Sequence, residues 1–113
     1  MDGSMVTTRQ QALAVAAQAR QELAAIYGDR LCGVYLYGSG ARDQLTPDSD
    51  IDIAVILDAI PNRFAEHERT SQLGARLSLE HDTVVLFFFA AQADLEAGQF
   101  GIHRAIKEEG IAA

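Results

Sequence analysis

Residues 47–53 read PDSDIDI, so Asp48, Asp50 and Asp52 recur at every second position on the way into the apolar stretch AVIL. In an extended strand alternate side chains share a face, which brings Asp50 and Asp52 together with Cα atoms about 6–7 Å apart. Ile51, Ile53, Val55 and Leu57 then turn the other way, toward a core. Carboxylates this close raise each other's pKa unless a cation intervenes. Hard oxygen ligands at this spacing suit Mg2+ or Mn2+. A calcium loop is excluded. Counted from Asp48, Ile53 stands where the loop needs Gly, and Ala59 stands where it needs a bidentate Glu.

A second group lies just upstream. Gly38 and Gly40 flank Ser39 directly after LCGVYLY. Glycines allow close backbone approach, and the turn that follows offers free N–H groups to phosphate oxygens. Ser39 adds a hydroxyl. No Gly-Lys-Ser/Thr follows at the spacing of a Walker loop, so the turn is of another kind.

The elements that must position these groups follow from pattern. A helix is expected from Thr8 to Tyr27, capped by Thr7 or Thr8, with Leu13, Ala16, Leu23 and Ile26 at helical spacing and Gly28 as its stop. LCGVYLY reads as the first strand and DIDIAVIL as the second, with a short helical turn at SGARDQ between them. Pro61 and Asn62 open a helix running to Glu80. TVVLFFF is the third strand, and its two apolar faces predict a central or doubly covered position. A short turn then leads to a helix from Phe100 to Glu109, capped by Gly110. The order helix, strand, strand, helix, strand, helix predicts an α/β (α+β) fold, a small mixed sheet with helices packed on it. The 113 residues are read as a single domain, 1–113.

Composition narrows the function. Sixteen acidic residues against nine Lys and Arg give a net charge of −7, and Lys107 is the one lysine. Direct nucleic-acid binding through a basic patch is not expected. A bound phosphate would be held through a metal ion, backbone N–H groups and an arginine or two. No apolar run approaches the roughly 20 residues of a membrane span. The opening residues show no secretory pattern. The lone Cys32 fits a reducing compartment and reads as a small buried hydrophobe, so a cytoplasmic location is expected.

Taken together, GSGARDQLTPDSDID places ten residues between Ser39 and Asp50 and ends in Asp-x-Asp. It resembles the signature of the nucleotidyltransferase superfamily that includes DNA polymerase β. Ala41, Arg42 and the PDSDID wording resemble its minimal nucleotidyltransferase (MNT) branch, often found as antitoxins. The likeness is close over 35–57 and looser over 77–111, where EEGI matches the branch's ending.

The resemblance implies the polymerase β-like fold and metal-dependent transfer of a nucleotide, AMP from ATP, to a hydroxyl. Gly38, Ser39 and Arg42 would bind the triphosphate. Asp50 and Asp52 would be catalytic metal ligands, joined by a third carboxylate on a neighbouring strand. Asp82 is the candidate for that third ligand, with Glu80 as runner-up. The implied acceptor is a tyrosine on a helical HEPN-type toxin, because so short a chain has no further domain to bind one; self-association is the other way to complete the site. The alternative is an antitoxin that occludes its partner with a silent site. Asp43 departs from the family, which more often has Gly there, and adds negative charge near the triphosphate.

Other residues have simpler readings. Asp48 and Ser49 are turn residues. His67, His81 and His103 are too dispersed for a metal cluster and read as helix-surface or helix-end residues. Tyr35 and Tyr37 pack on one strand face, and Phe87–Phe89 belong to the core.

Overall fold

The structure, a computed structural model, describes residues 6–113. Part of the segment read for a secretory pattern, residues 1–5, lies outside them. Helix α1, Arg9–Tyr27, starts at a capping box: the Thr8 side chain accepts from the Gln11 N–H while the Gln11 side chain accepts from the Thr8 N–H. A 3-10 turn at Gly28–Arg30 delivers the chain into β1, Leu31–Tyr37. Strand β2 is Asp50–Leu57, helix α2 Arg63–His81 and strand β3 Val84–Ala91. Two short helices follow, α3 at Gln92–Ala97 and α4 at Gly101–Glu109, and Ile111–Ala112 form β4.

The four strands make one mixed sheet in the order β3-β2-β1-β4. Strands β1 and β2 are antiparallel, with Tyr37 opposite Asp52 and Leu31 opposite Leu57. Strand β3 returns through α2 to lie parallel to β2, and β4 pairs Ile111 with Leu36. Side-chain alternation then divides the sheet into two faces. Ile51, Ile53, Val55 and Leu57 meet Leu23, Leu36, Leu77 and Phe89 in the larger core, beneath α1 and α2. Ala54, Ile56 and Ala90 meet Leu95 and Ile106 of α3 and α4 on the opposite face. Those two helices are short, so they cover only part of that face. Beyond them Asp50, Val84 and Leu86 stay exposed.

The α/β expectation holds, with four corrections. Strand β3 is the sheet edge rather than central, and Val84 and Leu86 are 50% and 46% exposed. An apolar run could not distinguish an edge strand with one half-open face from a strand covered twice. Strand β4, two residues long, carried too little pattern to be read. Cys32 is exposed, because it sits at the irregular start of the β1–β2 pairing. His103 is buried on α4 between Phe88 and Phe100, not on the helix surface.

Candidate active site

Strand β1 ends at Tyr37, and the chain turns at Gly38 with φ +72°. A side chain here would be strained by the backbone, and its Cβ would lie 2.6 Å from Asp52 Oδ2. Glycine therefore lets the turn close directly onto the Asp52 carboxylate. The next residues wind into a helical turn, in which Arg42 N–H donates to Gly38 O at 3.2 Å and Gln44 N–H to Ser39 O at 2.9 Å. Gly40 is buried against Leu36 and Ala12, which anchors the turn on the core.

Asp43 completes this turn at φ 58°, a left-handed conformation that Asp tolerates better than most residues. Its Oδ1 accepts from the Arg9 N–H at 2.8 Å, at the positive N-terminal end of α1. The charge that departs from the family pattern is thus engaged by a helix terminus, and Asp43 takes up the backbone conformation glycine would favour. Arg42 Nη1 lies 2.6 Å from Glu109 Oε1 at the end of α4, and its Nε donates to Gln44. Arg42 is therefore tethered, although close enough to Asp52 for its charge to be felt there.

Asp50 and Asp52 share the β2 face left open by α3 and α4, as the alternation requires. Burial pushes the Asp52 carboxyl above its ordinary range, the charge of Asp50 pushes it further, and Arg42 offsets only part of this. Tyr37, opposite Asp52 in the ladder, is raised to about 12 by burial and by the Asp52 charge. Its phenol stays protonated at neutral pH. Asp48 and Ser49 are turn residues: Ser49 Oγ accepts from Thr46 N–H at 2.9 Å, and Ser49 N–H donates to Thr46 O.

The proposed third carboxylate does not join the pair. Asp82 is the left-handed C-cap of α2, at φ 50° and ψ 49°, and lies outside β3. The β2–β3 register sets Val84 beside Asp50 and Leu86 beside Asp52, which puts Asp82 on the far side of Asp50 from Asp52. Asp82 lines an open cleft of about 500 Å3 with Asp50, Ser78, Leu79 and Val84. Among the described residues no three His, Cys, Asp or Glu side chains are grouped to hold a metal ion. Glu80, the runner-up, is bound up with Gln18 and Arg76 on the helix side. The Asp50–Asp52 pair itself suits one hard cation: two carboxylates on one face, one of them raised by the other's charge, beside a turn able to approach phosphate.

The Polymerase beta, Nucleotidyltransferase family matches residues 21–99. A Methanocaldococcus jannaschii protein named "putative protein adenylyltransferase" is 27% identical over 66 residues, 58% of this chain and 66% of that protein. The chain thus spans just under two thirds of that relative. A crystal structure of a "putative nucleotidyltransferase" from Sulfolobus solfataricus superposes with TM-score 0.65 at 21% identity, covering 99% of this chain and 87% of that one. The structure of a toxin–antitoxin with AMP-PNP gives TM-score 0.61 at 22% identity, over 84% of this chain and 69% of that one. With the family match spanning the glycine turn, both aspartates and β3, the chain belongs to the polymerase β nucleotidyltransferase family.

Proposed function

We propose that this protein transfers AMP from ATP to a hydroxyl on a partner protein, in the manner of an antitoxin that modifies its toxin. The observation that carries the reading is the closure of the Gly38 turn onto Asp52, which joins the phosphate-binding turn and the Asp50–Asp52 pair at one sheet end. Gly38 and Ser39 hold the outer phosphates through backbone N–H groups and the Ser39 hydroxyl. Arg42 leaves Glu109 to reach the triphosphate. Asp50 and Asp52 would hold Mg2+ or Mn2+, which when bound would neutralise phosphate charge. The acceptor oxygen forms a bond to the α-phosphorus, the bond to the bridging oxygen breaks, pyrophosphate leaves and the acceptor proton goes to solvent. The toxin–antitoxin named among the structural neighbours supports a protein partner, and the sequence resemblance supplies the finer reading, a tyrosine on a helical HEPN-type toxin.

Calorimetric titration of ATP with and without Mg2+, beside an Asp50→Asn/Asp52→Asn variant, tests the site. Mg2+-dependent binding that disappears in the variant supports the reading. Folded protein that binds no nucleotide, or a variant that binds as well as the parent, overturns it. Val84 and Leu86 beside the aspartates favour a second reading, in which the protein neutralises its partner by occupancy alone. A partner that gains the mass of AMP on incubation with the protein and Mg-ATP excludes that second reading.

A further inference from the structure

In-line displacement at a two-metal site uses cations about 3.5–4 Å apart, one on the leaving and one on the attacking oxygen. Each is a hard cation seeking oxygen ligands in near-octahedral geometry. The surroundings of Asp50 and Asp52 are unequal to two such ions. On the β1 side stands Tyr37, opposite Asp52 in the ladder, which brings no carboxylate. On the β3 side the register brings Val84 and Leu86, which have no donor atoms in their side chains. Both point to the same face as the aspartates and are about half exposed, and among the described residues no three His, Cys, Asp or Glu side chains are grouped to hold a metal ion. Asp48 and Asp82 line the cleft with Asp50, and Asp52 is not among the residues lining it.

We propose that this site binds a single divalent cation, the one that accompanies the nucleotide, and that Leu86 is the residue that withholds the second. The inference rests on the nucleotidyltransferase reading and deepens it. The acceptor side of the site, as this chain builds it, is apolar strand and open cleft rather than a metal centre.

The test counts Mn2+ against α,β-methylene-ATP, whose α–β linkage resists transfer, by equilibrium dialysis with the free ion followed by electron paramagnetic resonance. The parent protein is expected to retain about one Mn2+ per bound nucleotide, and Asp82→Asn to leave that ratio unchanged. Leu86→Asp sets a carboxylate opposite Asp52 and is expected to raise the ratio to about two. Position 86 lies half exposed on an edge strand, so the substitution is compatible with folding; Leu86→Glu gives an independent second variant, and the parent count decides on its own if neither folds. A ratio near two in the parent overturns the proposal, as does a folded Leu86→Asp and Leu86→Glu pair that stays at one. Absence of nucleotide-dependent Mn2+ retention in the folded parent removes the proposed function itself, and this inference with it.

Discussion

At Gly38 two demands coincide, a positive φ and the absence of a Cβ that would sit 2.6 Å from an Asp52 oxygen. Gly38→Ala is therefore expected to displace the carboxylate while leaving the core untouched. A left-handed backbone costs an L-residue about 1–2 kcal/mol, and ATP affinity should fall at least about tenfold by calorimetry. Asp52 carries the opposite cost. Its carboxyl is raised by burial and by Asp50, so its ionisation opposes folding. The penalty is absent below the ordinary value of 3.8 and grows as pH rises through the raised value. Asp52→Asn should stabilise the nucleotide-free protein at neutral pH, by no more than roughly 0.5 kcal/mol because solvent screens a half-buried carboxylate, which a raised thermal midpoint would report, while abolishing Mg2+-dependent nucleotide binding. The gain should vanish on acidification. No gain at neutral pH would mean that the pair is already neutralised without a cation.

Among the elements, α2 carries the return from β2 to the parallel β3, and its first turn holds a buried charge. Glu66 accepts from Tyr27 Oη at 2.9 Å, Arg69 Nη1 at 3.0 Å and Arg30 Nη2 at 3.1 Å, which joins α2 to α1 and to the turn before β1. Burial pushes its carboxyl up, but the hydrogen bonds from Tyr27 and Arg30 and the charges of both arginines outweigh it and hold the group below its ordinary 4.5. Its stabilising contribution is thus complete above pH 4.5 and is lost as pH falls through the lowered folded value. Glu66→Ala should cost about 2 kcal/mol in urea unfolding at pH 7, since the arginines left behind can still reach water. The loss should narrow in acid. A variant as stable as the parent would show the network to be ornamental to the α1–α2 packing. Nothing in the sequence pattern marked Glu66, because a glutamate in a first helical turn reads as an ordinary surface residue.

For the whole molecule, a charge of −7 sets the field that any partner meets. Polyanions are repelled at long range. RNA should show no measurable retention in filter binding at about 0.15 M salt, and retention that weakens steeply with salt would contradict this. Among the described residues no helix is long and apolar enough to cross a membrane. The short α3 and α4 cover only the half of their sheet face that carries Ala54, Ile56 and Ala90. The other half, with Asp50, Asp52, Val84 and Leu86, is left for ligands, so the extent of these two helices sets the dimensions of the site.

Periodicity alone determined that Asp50 and Asp52 share a face, because the strand repeat is two residues whatever the neighbours. Local chemistry likewise marked the Gly38 turn and the caps of α1 and α4, where short-range backbone needs select the residue type. Tertiary structure decided what lies beside those residues. The parallel register of β2 and β3 placed Val84 and Leu86, rather than Asp82, against the aspartates. Register depends on how α2 packs and where it ends, at the left-handed Asp82, and no local pattern encodes that endpoint to within a residue. The expectations for His103 and β3 failed for the same reason: its burial and the strand's edge position both depend on which surfaces meet across the sheet.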